Sequence, residues 1–556
     1  MLVSVNAKFI HTSLAAAYLL SSLENTLSRD EFSFSSVEGT INEAVDAVYK
    51  RIADSAPDAV GFSCYIWNIE SVLSLAKRLK QEHPGVAVIL GGPEVSFNSR
   101  SLLKKHEFLD FVLCGEGEEA LPALLRCLAE KRPPVPGLCT HRDGGEIRLG
   151  TLHKLTCDPP EPFSGVLPGS LQNKLAYIES SRGCPFSCAF CLSGEKGNVR
   201  FFSLERVKRD ILTLAASGAQ TVKFVDRTFN CDKKRAQDIL RFIKDNYGEA
   251  IPDNVCFHFE IAAELLDEET LSLIGSMPPG SVQFEAGIQS FNPKTLESVN
   301  RKTDFVRLRE NLGKLISFDN CHVHIDLIFG LPYEDYKSVK ESFNRAFALG
   351  ANMLQLGFLK VLHGCALEEK AAEYEIRYSE QPPYEVTGTK WLSPDELSKL
   401  HRIESVFDRL YNSGRFKRTL RYVLSRSGLS PFALFEGLSE SVKAESSVPL
   451  DIFTEKCFAF FLTLPDIDNM RLRDEMIADR IATNASGIIP KCLQIPDSRL
   501  KKIKRFFAEK YPPEKGEMRT LAVLYTYDEV IFSPHRKKNR VSGEYEVIRV
   551  KIKDCC

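Results

Sequence analysis

The sequence predicts an α/β chain in three parts. An open, doubly wound parallel sheet comes first, then a βα series forming a partial or full barrel, then a mainly helical region. Three observations carry this. Over residues 1–140, apolar strand-like runs end in glycine turns and lead into helical stretches, the pattern of a parallel sheet covered by helices. A linker over 141–172 follows, and across 173–383 the βα rhythm returns more regularly. Over 384–556 the periodicity turns mainly helical.

Met1-Leu2-Val3-Ser4-Val5-Asn6 is a weak strand-like start, and residues 58–63 read as a buried strand followed by a helix over 70–82. Strands at 86–90 and 111–113 end in Gly91-Gly92-Pro93 and Gly115-Glu116-Gly117. In such sheets ligands sit past the carboxyl ends of the strands, where these glycines lie. The proline-rich stretch over 131–171 reads as linker plus a small hairpin. Strand candidates then fall at 175–180, 221–225, 255–260, 282–287, 322–329 and 353–361, with amphipathic helices such as 204–217 and 233–246 between them. In a βα barrel the carboxyl ends of the strands carry the chemistry. Further on, 393–413 is the longest helix candidate, and 520–532 and 545–552 form a short β-rich end.

Of 556 residues 44% are hydrophobic and 26% charged, which excludes disordered and fibrous classes. Lys and Arg total 72 against 74 Asp and Glu, a net charge of −2, so there is no global basic field for nucleic acid. The basic runs at 501–505 and 535–538 read as solvated faces. No apolar run approaches the ~20 residues of a spanning helix, and the N-terminus lacks the marks of a secretion signal. With 16 cysteines spread thinly, reduced thiols in a cytoplasmic protein are expected rather than a disulfide scaffold.

Cys184, Cys188 and Cys191 break that thin spread with C-x₃-C-x₂-C spacing. Three thiolates on one short loop suit a soft metal or an iron–sulfur cluster. A structural zinc site uses four closed ligands, and Cys157 and Cys231 are possible fourth ligands without partners of their own. Three ligands on a [4Fe–4S] cluster leave one iron open, as catalysis requires. The adjacent Cys555-Cys556 pair reads as a frayed chain end.

The loop directly follows the first strand of the βα series, and in this it resembles the radical S-adenosylmethionine (SAM) enzymes. Phe190 stands at the aromatic position of their cysteine motif. Phe284-Glu285-Ala286-Gly287-Ile288-Gln289-Ser290 resembles their fourth-strand motif, followed by Asn300-Arg301 and by Asp326-Leu327-Ile328-Phe329-Gly330-Leu331-Pro332. The order is similar to that of the oxygen-independent coproporphyrinogen oxidase branch. The resemblance implies a radical SAM partial TIM barrel, with a [4Fe–4S] cluster on Cys184, Cys188 and Cys191. It implies SAM contacts at Phe190, Glu260, Gln289 and Asp326, and a carboxylate-binding role for Arg301. The motif after the second strand is degraded to Phe224-Val225-Asp226-Arg227-Thr228, leaving Asp226 and Thr228 as candidates there.

The N-terminal region resembles the cobalamin-binding domain of cobalamin-dependent radical SAM proteins. The pieces that carry this are Gly61-Phe62-Ser63, Leu90-Gly91-Gly92-Pro93-Glu94 and Cys114-Gly115-Glu116-Gly117-Glu118. It implies cofactor contacts at Ser63, Gly91, Gly92, Gly115, Glu116 and Gly117. The D-x-H-x-x-G motif of many cobalamin enzymes is absent, with only His11 near the equivalent loop, and Trp67 is placed to wall the cofactor. The motifs at 6–11, 65–70, 224–230 and 359–364 are similar to those of the group with a C-terminal domain of uncharacterised function. The resemblance implies a methyltransferase using a 5′-deoxyadenosyl radical and methylcobalamin on an unactivated carbon. Its cofactors are a [4Fe–4S] cluster, SAM and cobalamin, and its electron donor is of flavodoxin or ferredoxin type. The substrate is a small molecule or peptide; neither membrane nor nucleic acid is expected as a partner. Oxidative cyclisation or rearrangement without methyl transfer is the alternative, and a non-catalytic cobalamin or redox sensor a second one.

Overall fold

The computed structural model describes residues 1–155, 157–193, 198–442, 448–484, 488–512 and 520–555, so Cys556 lies outside the described residues. The chain forms two compact units. The first comprises Met1–Val282, Glu297–Thr303 and Leu359–Thr387; the second comprises Gln283–Leu296, Asp304–Phe358 and Gly388–Cys556.

The first unit opens with seven strands: β1 (Leu2–Asn6), β2 (Ser36–Thr40), β3 (Ala59–Ser63), β4 (Ala87–Gly91), β5 (Phe111–Leu113), β6 (Thr140–Asp143) and β7 (Glu146–Arg148). Their order is β2-β1-β3-β4-β5-β6-β7, parallel through β5. The hairpin of β6 and β7 extends the far edge antiparallel. Strand order reverses between β1 and β3, so a crevice opens at their carboxyl ends, where doubly wound sheets bind ligands. Both faces are buried, which is why Val88-Ile89-Leu90 is a continuous apolar run. Val88 and Leu90 pack under helices Val45–Ala53 and Ile69–Glu82, while Ile89 packs on the other face with Leu23 and Leu124 from helices Leu14–Thr26 and Gly117–Ala129. Strand β2 went unseen in the sequence because it is a partly exposed edge, Ser-Val-Glu-Gly-Thr, without an apolar run.

The same unit carries β8 (Leu175–Ile178), β9 (Ser181–Gly183), β10 (Val199–Phe201), β11 (Thr221–Phe224) and β12 (Cys256–Ile261). Strands β8, β11 and β12 lie parallel, with β11 in the middle. Strands β9 and β10 form a short antiparallel ribbon that closes the base of the cysteine loop. Gly183 makes that closure possible. Its φ is +100°, and a Cβ there would lie 2.2 Å from the carbonyl oxygen of Asn198.

In the second unit β13 (Val282–Gln289), β14 (His322–Phe329) and β15 (Met353–Phe358) are parallel neighbours, with buried and half-buried residues alternating along β13 and β14. Helix Tyr336–Phe347 presents Phe343 to Phe407, Phe432 and Phe435 of the following helices, with ring centroids 5.1–6.0 Å apart. The predicted helix over 393–413 is Pro394–Phe407, started by a Ser393–Glu396 capping box and ended by a π-turn over Asp408–Asn412. The β-rich end is a three-stranded antiparallel sheet of Thr520–Leu524, Glu529–Ser533 and Ile548–Lys551, turning at Asp528 with φ +51°.

Candidate functional site

The cysteine loop is held from three sides. The Ala189 N–H donates to Val299 O at 2.9 Å, Asn300 Nδ2 donates to Ser187 O at 3.1 Å, and the Leu367 N–H donates to Ala189 O at 2.8 Å. Each sulfur has a neighbour that suits a thiolate. Cys184 Sγ lies 3.4 Å from Thr228 Oγ1, the Ser193 N–H donates to Cys191 Sγ at 3.4 Å, and an Arg301 N–H donates to Cys188 Sγ at 3.8 Å. Burial pushes the Cys188 thiol up, and the Arg301 guanidinium works against that. A partly buried loop of three thiols with a guanidinium at one of them fits an anionic, thiolate-ligated cluster.

Asp226, expected at a cofactor contact, is hydrogen-bonded within the protein. It is 1% exposed; Oδ2 accepts from the Ser180 N–H at 2.9 Å, and Oδ1 from the Ser180 and Ser181 hydroxyls at 2.6 Å each. Those bonds occupy the carboxylate and brace the chain as it leaves β8 for Cys184. Thr228 is buried against Cys184, Phe190 is half-buried in the loop, and Glu260 on β12 pairs with Lys223 on β11 at 3.4 Å.

In the second unit Gln289 follows a bulge in β13 with φ +72°, a conformation that costs a non-glycine residue about 1–3 kcal/mol. Its amide folds back over Gly287, where a Cβ would lie 2.2 Å from Nε2, and its Oε1 is buried with no partner among the described residues. An orphaned buried acceptor at a strained strand end is suited to a ligand donor. Asp326 pairs in register with Gly287, and its Oδ1 lies 2.8 Å from His324 Nε2. His324 Nδ1 in turn is 3.9 Å from Glu285 Oε2. Glu285 was read only as part of the fourth-strand motif and His324 escaped the sequence reading; alternate polar residues on two adjacent apolar strands were the available signal.

All six residues expected at the cobalamin site line one cavity of about 1030 Å³: Ser63, Gly91, Gly92, Gly115, Glu116 and Gly117. It lies at the ends of β1 and β3, and its other walls include Tyr177 and Glu179 from β8 and its end, Arg182 and Gly183 before the cluster loop, and Leu192 and Ser193 within it. That volume is at the upper end for small-molecule sites, and so has room for a large cofactor. Not all the glycines serve the cavity. Gly92 (φ +116°) and Gly115 (φ +88°) are required by the protein itself, since a Cβ would meet Cys64 O at 2.5 Å and His153 O at 2.4 Å. At Gly91 the nearest atom is Leu113 Cβ at 3.9 Å, so this residue leaves the chamber open.

His11 Nδ1 is 2.6 Å from the Tyr177 hydroxyl, and Trp67 stacks on Tyr65 at 4.4 Å; all four line the cavity. A charged network that the sequence did not reveal stands in the same wall. Arg182 donates to Glu118 at 2.7 Å and Glu179 at 3.0 Å and lies 3.4 Å from Glu116, which also pairs with Arg200. Burial pushes the Glu179 carboxyl up to about 7 despite Arg182. Glu116 thus faces the chamber with its charge already compensated.

Comparison with known proteins agrees with this geometry. The B12 binding domain family matches residues 2–125, the radical SAM superfamily residues 178–346, and a protein family of unknown function, DUF4080, residues 372–538. The chain is therefore a radical SAM protein with an N-terminal B12 binding domain. Within that class it belongs to the group carrying a DUF4080 domain at the C-terminal side. It is similar to the 2-(S-pantetheinyl)-carbapenam-3-carboxylate methyltransferase of Streptantibioticus cattleyicolor, 25% identical over 492 residues, 78% of this chain and 70% of that one. The cobalamin-dependent radical SAM methyltransferase TokK of Streptomyces tokunonensis is 28% identical over 357 residues, 58% of this chain and 50% of that one. Among solved structures, the cobalamin-dependent S-adenosylmethionine radical enzyme OxsB shares the fold at TM-score 0.58 and 13% identity, over 93% of this chain and 82% of that one. Among the described residues no helix is long and apolar enough to cross a membrane.

Proposed function

We propose that this protein is a cobalamin-dependent radical SAM methyltransferase that acts on an unactivated carbon. The observation that carries the reading is the single chamber walled on one side by the strand ends of the B12 binding domain and on the other by the cysteine loop. A substrate between those walls faces both cofactors at once. When bound, the cluster with SAM supplies radical generation and cobalamin supplies a carried methyl group.

The chain's own residues bind, position and exclude. Cys184, Cys188 and Cys191 would hold the cluster, and Arg301, whose N–H donates to Cys188 Sγ, would clamp the SAM carboxylate. Asp226 fixes the approach to the loop through Ser180 and Ser181. The stacked Tyr65 and Trp67 give the chamber an apolar wall, and the Arg182 network seals it with compensated charge. The reductant is a separate electron-transfer protein, and the reduced thiols suit the cytoplasm. The relatives' names, which include two methyltransferases, favour methyl transfer over cyclisation.

Anaerobic reconstitution with iron, sulfide and hydroxocobalamin, then SAM and a strong reductant, tests this. S-adenosylhomocysteine together with 5′-deoxyadenosine, both lost in Cys184→Ala, is the expected result. Deoxyadenosine alone, from protein that retains cobalamin, would overturn methyl transfer in favour of radical chemistry without it.

A further inference from the structure

Among the charged residues of the chamber wall, Glu116, Glu118, Glu179, Arg182 and Arg200 are tied to one another. Arg227 lines the same chamber, is exposed to it, and its guanidinium makes no hydrogen bond or ion pair with any described residue. The backbone that presents it is fixed on both sides. Asp226 before it is pinned by three hydrogen bonds, and Thr228 after it is buried, donates to Arg227 O at 2.8 Å and lies 3.4 Å from Cys184 Sγ. A guanidinium unpaired among the described residues, on a rigid segment one residue from a cysteine neighbour, is a positioned anion receptor with no described carboxylate of the protein to receive.

We propose that Arg227 receives an oxyanion, a carboxylate or phosphate, carried by the substrate, and so fixes which end of the substrate faces the cluster. This rests on the reading of the chamber as the cofactor and substrate site. Two cofactor groups share the chemistry, the SAM carboxylate and the cobalamin phosphodiester. Arg301, beside the sulfur of Cys188, is the expected partner of the SAM carboxylate, and the cofactor-loaded arm of the test separates the cobalamin phosphodiester from the substrate.

The test is phenylglyoxal labelling of Arg227, read by peptide mass spectrometry on protein without cofactors and on protein loaded with cluster, cobalamin and SAM. Phenylacetate, phenyl phosphate and uncharged phenylacetamide are then added to the loaded protein. Cofactor loading should leave Arg227 reactive. At saturation the anions should slow its labelling by about tenfold, as one charge-assisted contact allows, and the amide should not. Protection by SAM or cobalamin alone assigns the arginine to a cofactor and overturns the proposal; absent or equal protection by anion and amide overturns it too. Cobalamin retained per chain, read by absorbance, separates the two failures. A protein that keeps cobalamin but leaves Arg227 unprotected loses this inference only, whereas one that binds no cobalamin loses the chamber assignment with it. Arg227→Gln should retain iron and cobalamin while abolishing the difference between phenylacetate and phenylacetamide binding in calorimetry.

Discussion

Substitution of Asp226 separates a brace from a cofactor ligand. The carboxylate accepts three hydrogen bonds from Ser180 and Ser181 in a site closed to water. Asp226→Ala strands one buried N–H and two hydroxyls. At about 1–1.5 kcal/mol per bond, that is about 3–5 kcal/mol of local stability. Asp226→Asn behaves differently, because its amide oxygen can keep the Ser180 N–H while its NH₂ donates to hydroxyls that rotate to accept. The assay is hydrogen exchange over residues 175–183, with iron per chain and SAM affinity measured on the same preparations. The alanine variant should open this segment and lose iron, while the asparagine variant should keep iron and hold SAM within about threefold of wild type, under 1 kcal/mol. A normal iron content in Asp226→Asn with SAM affinity down about 100-fold would refute the brace and restore a direct contact.

Other substitutions test other parts. Glu334 is buried, accepts from Ser290 at 2.6 Å and Ser342 at 3.1 Å, and burial pushes its carboxyl up from 4.5 to about 7. The folded state therefore holds a proton that the unfolded chain releases above pH 4.5, so stability should fall by about 3 kcal/mol as pH rises from 4.5 through 7 and then level off. Urea unfolding of Glu334→Gln should lack that slope, and a slope that persists would assign it elsewhere. Arg182→Met leaves Glu116, Glu118 and Glu179 facing one another without their shared cation, at a cost of roughly 3–5 kcal/mol, and should release cobalamin on gel filtration. Full cobalamin retention there would show that the network is dispensable. Gly183→Ala drives a Cβ into Asn198 O and should lower iron loading with little change in cobalamin, measured by metal analysis; unchanged iron would show that the ribbon does not support the loop.

Parts of this structure were legible in the sequence for physical reasons, and parts were not. Strands buried on both faces, such as β4, are continuous apolar runs and read directly. Helix Asn469–Thr483 has no apolar stripe to find: every residue from Leu472 to Ala482 is buried, and its charges are satisfied in place, Arg473 by Asp474, Arg480 by Asp451 and Asp479 by Arg418. At the site, residues contiguous in sequence were visible: the three cysteines and the glycine turns. The Arg182 network was not, because Glu118 lies 64 residues from Arg182 and no local pattern joins them. Asp226 sat at a motif position, yet only the fold shows its oxygens turned to Ser180 and Ser181. Arg227 read as a departure from a motif, and only its place in the chamber wall gives it a use.

The most direct test is metal analysis of cobalt and iron per chain after anaerobic reconstitution of wild type, Gly91→Phe and Cys184→Ala. A Cβ at Gly91 clears its nearest neighbour at 3.9 Å and Gly91 lines the chamber, so a phenyl ring there is expected to fill chamber space. Wild type should carry both metals, Gly91→Phe should lose cobalt and keep iron, and Cys184→Ala should lose iron and keep cobalt. Cobalt retained in Gly91→Phe would place cobalamin outside this chamber and contradict the account.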